Sequence, residues 1–309
     1  MENLPWVEKY RPLKLKNVYG QDKIIEILKK MISLNSIPHL LFYGKAGVGK
    51  TSTIISFCRE IYGDDYPYFV LELNASDDRG IDIVRQEIKE FAELSKNSNK
   101  IKLIILDEAD AMTYDAQFAL RRIIEKYSNT TRFCFICNYL NKIIPAIKSR
   151  CTCFRFNPID NNSSNKLINK IIKKENIKCN KDIIENILWL NQGDFRKNLN
   201  LIQAISLTPN INKNYQNFGI ISKNTIINLI NSLYTKSFND NYILINQLIF
   251  DYGIDFDNIL KLITFQMIEL NQLNSNILIQ LADLDYKYNH GNNDYLYFAS
   301  LISIFTLYK

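Results

Sequence analysis

The sequence predicts an α/β domain on a five-stranded parallel sheet, followed by two helical regions. Three observations carry this expectation. Short apolar runs alternate with amphipathic helical windows from residue 20 to about 158, as in a parallel sheet covered by helices. A Gly-x4-Gly-Lys-Thr motif falls directly after the first of these runs. After Asn157-Pro158 the strand-like runs stop and helical periodicity continues to the end.

Taken in order, the strand candidates are 39–43, 68–73, 102–106, 132–137 and 153–156, each bounded by polar or turn-forming residues. The helical window at 24–34 repeats Ile24, Ile27, Leu28, Met31 and Ile32 on one face. Beyond residue 158, windows 166–174, 182–190 and 196–205 read as amphipathic helices, and the Asn-rich run 161–165 reads as a loop. From about residue 224 three or more further helices are expected, with breaks near Asn239, Gly253 and 290–293. These patterns divide the 309 residues into an α/β domain (1–158), a small helical domain (159–222) and a second helical domain (223–309).

Composition excludes several classes. With 47% apolar and 23% charged residues the chain is neither disordered nor a membrane protein, and its apolar runs are far shorter than the ~20 residues a spanning helix needs. The N-terminus is charged, is broken by Pro5 and Pro12, and lacks the apolar core of a secretory leader. A net charge of +6 favours an anionic partner such as nucleic acid without specifying one. Six cysteines include Cys134/Cys137 and Cys151/Cys153, but strand alternation sends Cys134 and Cys137 to opposite faces, and Cys-x-Cys is tighter than ordinary zinc spacing. Reduced, packed thiols are expected.

Gly44-Lys45-Ala46-Gly47-Val48-Gly49-Lys50-Thr51 sits between a strand and a helix expected to open at Ser52, where a phosphate cradle must sit. Glycines let backbone N–H groups and the helix N-terminus face phosphate oxygens. Lys50 then serves the β and γ oxygens of ATP, and Thr51 offers its hydroxyl to Mg²⁺. About sixty residues later the apolar run 101–106 ends in Asp107-Glu108, a Walker B pattern. Asp107 would hold the Mg²⁺ shell and Glu108 would polarise the attacking water. Asp107-Glu108-Ala109-Asp110 also spells a helicase box, but that class needs two tandem domains and this chain has room for one.

Further motifs carry a family resemblance. They are residues 4–12 (Leu-Pro-Trp-Val-Glu-Lys-Tyr-Arg-Pro), the P-loop, residues 72–82 around Asn74-Ala75-Ser76-Asp77-Asp78-Arg79-Gly80, and residues 106–112. Ser149-Arg150-Cys151 and Gly193-Asp194-Phe195-Arg196 complete the set. On these residues the chain resembles the small subunits of replication factor C, the eukaryotic sliding-clamp loader of the AAA+ class, most of all the ATP-competent subunit numbered 3 in one nomenclature and 5 in another. Over the last 85 or so residues the match is weak and centres on 281–286.

The resemblance implies an AAA+ domain, a helical lid and a helical collar that oligomerises. It implies that Asn138 is sensor 1 beside the γ-phosphate and that Arg196 is sensor 2 on the lid. It places Val7, Glu8, Arg11 and Tyr19 against the base and ribose, with Gly44, Lys45, Ala46, Gly47, Val48, Gly49, Lys50, Thr51 and Ser52 around the phosphates. Arg150 would reach a neighbouring subunit's ATP as a finger in trans, so that the isolated chain binds ATP but hydrolyses it poorly. Arg79 and Arg85 are the candidates for contact with the primer–template DNA backbone. The implied partners are the other subunits of a hetero-pentamer, the sliding clamp and DNA, in the nucleus. Lys45-Ala46 stands where the family usually has two prolines, a departure that leaves the catalytic positions intact. Two alternatives stay open: an ATP-binding subunit with little turnover of its own, and a homo-oligomeric AAA+ DNA motor.

Overall fold

The computed structural model describes residues 4–76, 81–93, 100–208, 215–271, 274–291 and 294–308; for 81–85 and 294–295 only the helical backbone is described. Arg79 lies outside the described residues, and Arg85 is placed only as a backbone position in the helix Ile81–Glu93.

Five strands, β1 (His39–Tyr43), β2 (Val70–Asn74), β3 (Lys102–Asp107), β4 (Thr131–Cys137) and β5 (Cys151–Arg155), form one parallel sheet in the order β2-β3-β4-β1-β5. The interior strands β1, β3 and β4 are buried over most of their length because helices cover both faces, so they read as unbroken apolar runs. The edge strands are partly solvated and their sequence signal is weaker. Strand β2 begins at Val70 rather than 68 because Tyr66–Phe69 winds into a short helix with Pro67 in its first turn, where the missing N–H costs nothing. Strand β5 spans Cys151–Arg155 rather than 153–156, with His39 paired to Cys151 and Tyr43 to Arg155.

The sheet's two faces carry separate cores. Phe42, Phe57, Leu28, Ile105 and Cys134 pack in one, and Leu41, Ile104, Phe133, Phe135 and Cys137 in the other. Strand alternation therefore does hold Cys134 and Cys137 on opposite faces. Helix Asp22–Ser33 covers the window expected at 24–34. The helix after the glycine-rich loop starts at Lys50, two residues before Ser52, because Gly49 at φ 93° turns the chain directly into it. The run 161–165 is not a loop. It is the first turn of Asn161–Lys174, nucleated by Asp160, whose Oδ2 accepts from Ser163 N at 2.9 Å.

The chain packs as two units, residues 1–167 with 193–200, and residues 168–192 with 201–309. The second unit contains Lys181–Asn191 and five later helices: Lys223–Thr235, Phe238–Tyr252, Phe256–Glu269, Ser275–Tyr288 and Asp294–Leu307. Their shared core includes Trp189, Ile226, Ile230, Phe256, Ile263, Leu281 and Phe305. The break expected near Asn239 falls earlier, at Lys236–Ser237. There Ser237 accepts from Asp240 N and starts a new helix that contains Asn239. No helix among the described residues is long and apolar enough to cross a membrane.

Candidate nucleotide site

The candidate site lies at the C-terminal ends of β1, β3 and β4, inside the first unit, where parallel α/β sheets place ligands. The loop after β1 winds through Gly44, Gly47 and Gly49 at φ 150°, 70° and 93°. The latter two lie in the left-handed region, which glycine enters without Cβ strain. At Gly44, whose φ is also one that side-chain-bearing residues rarely adopt, a Cβ would in addition stand 2.3 Å from Phe156 O.

Lys50, first in its helix, is 7% exposed, and its ammonium reaches back across the loop. Nζ donates to Gly44 O and Lys45 O at 2.7 Å each and to Asn138 Oδ1 at 2.9 Å. Burial draws its pKa below the ordinary lysine value, against the opposing charge of Asp107. A buried cation held only by neutral oxygens is a place where a phosphate anion improves the electrostatics.

Beside it Thr51 Oγ1 donates to Asp107 Oδ2 at 2.7 Å, and Asp107 Oδ1 accepts from Glu108 N at 2.9 Å. Two adjacent oxygen donors fit Mg²⁺, which takes one or two protein ligands and keeps waters and phosphate oxygens for the rest. Glu108 adopts φ 54°, ψ 36°, a left-handed conformation unusual for a non-glycine residue. It follows the last residue of β3 and lines the cleft with Asp107. Asp110 ties this turn to the end of β4 by accepting from Asn138 N at 3.2 Å and Tyr139 N at 3.1 Å, which fixes where Asn138 stands.

A cleft of roughly 1130 Å³, counting the solvent at its mouth, opens over these groups. Ala46, Gly47, Val48, Gly49, Lys50, Thr51, Ser52, Asp107, Glu108 and Asn138 line it, as do Val7, Arg11, Tyr19 and Arg196. Gly44 and Lys45 contribute the carbonyls behind Lys50 instead. Glu8 is not among the lining residues; it is exposed and pairs with Arg11 Nη2 at 2.6 Å. Arg150 is also not among them and pairs with Glu125 on the helix Tyr114–Lys126.

Sequence reasoning missed the cleft's apolar wall, Tyr10, Pro12, Val18, Ile159, Leu167, Phe195 and Leu199, and also the lining residue Asn17. Tyr10, Pro12 and Phe195 fall within the motifs at 4–12 and 193–196 but carry no distinctive chemistry there, and the others lie in no motif, because any apolar side chain of suitable size makes such a wall. It also missed Gln21, 5% exposed, whose Nε2 donates to Asn157 O at 2.8 Å and Val48 O at 3.4 Å. Gln21 thereby joins the glycine-rich loop to the end of the sheet domain. Asp194 closes the other side: Phe195 N donates to Gly47 O at 3.2 Å, and a Cβ on Gly47 would stand 1.8 Å from Asp194 Oδ1.

Comparisons with known proteins agree with this geometry. Residues 40–159 match the ATPase family associated with various cellular activities (AAA). The chain is 42% identical to the probable replication factor C subunit 5 of Dictyostelium discoideum over 99% of its length and 91% of that protein's. It is 40% identical to replication factor C subunit 3 of Saccharomyces cerevisiae, covering 97% of this chain and 92% of the relative. It is 42% identical to the replication factor C small subunit of Picrophilus torridus, covering 96% of each. An AAA match over the nucleotide cleft, with identity of 40 to 42% sustained from end to end, places this chain in the replication factor C small-subunit family of clamp-loader ATPases.

Proposed function

We propose that this chain hydrolyses Mg²⁺-ATP as one member of a hetero-pentamer of replication factor C subunits that loads a sliding clamp onto primer–template DNA in the nucleus. The observation that carries this reading is Lys50, buried and bonded to Gly44 O, Lys45 O and Asn138 Oδ1 beside the Thr51–Asp107 pair. That arrangement suits a triphosphate, because the one ammonium links the phosphate loop to the residue at the end of β4.

In this reading Lys50 and the loop N–H groups bind the β and γ phosphates, and the apolar wall with Val7 and Tyr19 takes the base. Thr51 and Asp107 would hold Mg²⁺, which would supply neutralisation of the phosphate charge. Glu108 accepts a proton from the attacking water, Asn138 orients that water, and Arg196 reports the γ-phosphate to the lid. Residues 1–158, 159–222 and 223–309 serve as AAA+ domain, lid and collar. Arg150 faces a neighbour's ATP, and Arg79 and Arg85 meet the DNA backbone, contacts that position without reading sequence.

The test is Glu108→Gln in the assembly reconstituted with its partner subunits. A general base is worth roughly 10² to 10⁴ at its own site, so this site's share of DNA-stimulated turnover should vanish while ATP binding persists. Unchanged turnover would make the chain a structural ATP binder. A stable homo-hexamer of the isolated chain with ATP, seen by native mass, would refute the hetero-oligomeric reading.

A further inference from the structure

The finger candidate Arg150 follows the short helix Pro145–Lys148 and opens the turn into β5. Its guanidinium is held from two elements. Nη1 donates to Ala146 O at 2.8 Å, with Ser149 Oγ at 3.5 Å, and Nη2 pairs with Glu125 Oε1 at 2.5 Å. Of the five guanidinium N–H groups, this leaves the Nε–H and one Nη2–H to address an anion.

Glu125 stands where local helix physics disfavours it. It lies in the last turn of Tyr114–Lys126, at the negative end of the macrodipole. Its i−4 partner Arg121 pairs at 3.1 Å in the less favourable order, cation before anion. A carboxylate at that position gains little from its own helix, and what it gains across the fold is Arg150. The group Arg121–Glu125–Arg150 carries two positive charges and one negative, so it remains attractive to a phosphate. Hydrogen bonding from Arg121, opposed by desolvation and supported by the nearby charges of Arg121 and Arg150, holds the Glu125 carboxyl below its ordinary range.

We propose that Glu125 is the positioning residue of Arg150, fixing its guanidinium on the subunit surface before a neighbour's nucleotide arrives. This rests on the reading of Arg150 as a finger in trans. A long cationic side chain loses rotamer freedom when it docks, and anchoring it beforehand removes part of that loss from the reaction. Glu125 touches no reacting atom in this scheme and acts only through Arg150.

The test uses Glu125→Ala, Glu125→Gln, Arg150→Ala and the double variant Glu125→Ala/Arg150→Ala in the reconstituted assembly, with native mass to confirm subunit composition. Glu125→Ala should lower DNA-stimulated kcat roughly fivefold, the scale an exposed pair supplies, with KM for ATP and this chain's own ATP affinity unchanged. Glu125→Gln, which keeps an acceptor oxygen, should lose less but still fall below the parent, and it carries the measurement if Glu125→Ala fails to assemble. The double variant should turn over no more slowly than Arg150→Ala alone, because Glu125 has nothing left to position. Losses that multiply in the double variant, or full kcat in both Glu125 variants alongside a strong Arg150→Ala defect, would overturn the role of Glu125. Full kcat in Arg150→Ala would overturn the finger reading itself, and this inference with it.

Discussion

Replacing Gly47 with alanine tests the packing of the phosphate loop against the start of the helix Phe195–Ser206. Gly47 sits at φ 70°, so an alanine pays about 1–2 kcal/mol for left-handed backbone. Its Cβ would also stand 1.8 Å from Asp194 Oδ1 and 3.2 Å from Asp194 Cα, so both the carboxylate and the backbone behind it must yield. Asp194 Oδ1 accepts from Lys197 N at 3.1 Å, and losing that helix cap adds about 1 kcal/mol. The expected cost is about 2–3 kcal/mol for Gly47→Ala. For Gly49→Ala, at φ 93° with nothing within 4 Å of the added Cβ, only the backbone strain of about 1–2 kcal/mol applies. The assay is urea unfolding of the nucleotide-free chain, following the first transition because two packed units need not melt together. ATP titration should show a further loss for Gly47→Ala, since displacing Asp194 carries Arg196 with it. Equal destabilisation by the two variants, or Gly47→Ala as stable as the parent, would refute the reasoning.

Two further perturbations follow from buried polar groups outside the phosphate loop. His39 accepts from Phe133 N at 3.1 Å through Nδ1, and burial, then the charge of Arg132, holds its pKa down to about 4 from 6.5. An unfolded chain takes up that proton at about 6.5 and the folded chain not until about 4. Stability is therefore fully present above 6.5 and lost as pH falls through that window, by at most about 3 kcal/mol and less because the ring is not wholly buried. His39→Gln should flatten the acid limb of a stability–pH curve, and an unchanged limb would exclude His39 as its source. Gln21→Ala removes the donor to Asn157 O and Val48 O and should cost about 1–3 kcal/mol in urea unfolding, with weaker ATP binding. Parent-like stability and affinity would show that Gln21 does not brace the loop.

The sheet's interior and the glycine pattern of the loop after β1 are legible in local sequence. Strands β1, β3 and β4 are covered on both faces, so burial forces apolar runs legible without partners. The loop after β1 is legible because its backbone must turn where only glycine turns freely, and its helix begins with Lys50 and Thr51, the two side chains proposed to meet phosphate and metal. Features that need distant residues to meet arise only on folding. Edge strand limits came from pairing, as at Cys151 with His39, and the start of Asn161–Lys174 came from the Asp160 cap rather than from its polar composition. Lys50 meeting Asn138, Gln21 reaching Asn157, Asp194 against Gly47 and Glu125 holding Arg150 join positions 25 to 147 residues apart. No local periodicity encodes such contacts, because each satisfies a polar group or fills a space that exists only once the sheet has brought its strand ends together.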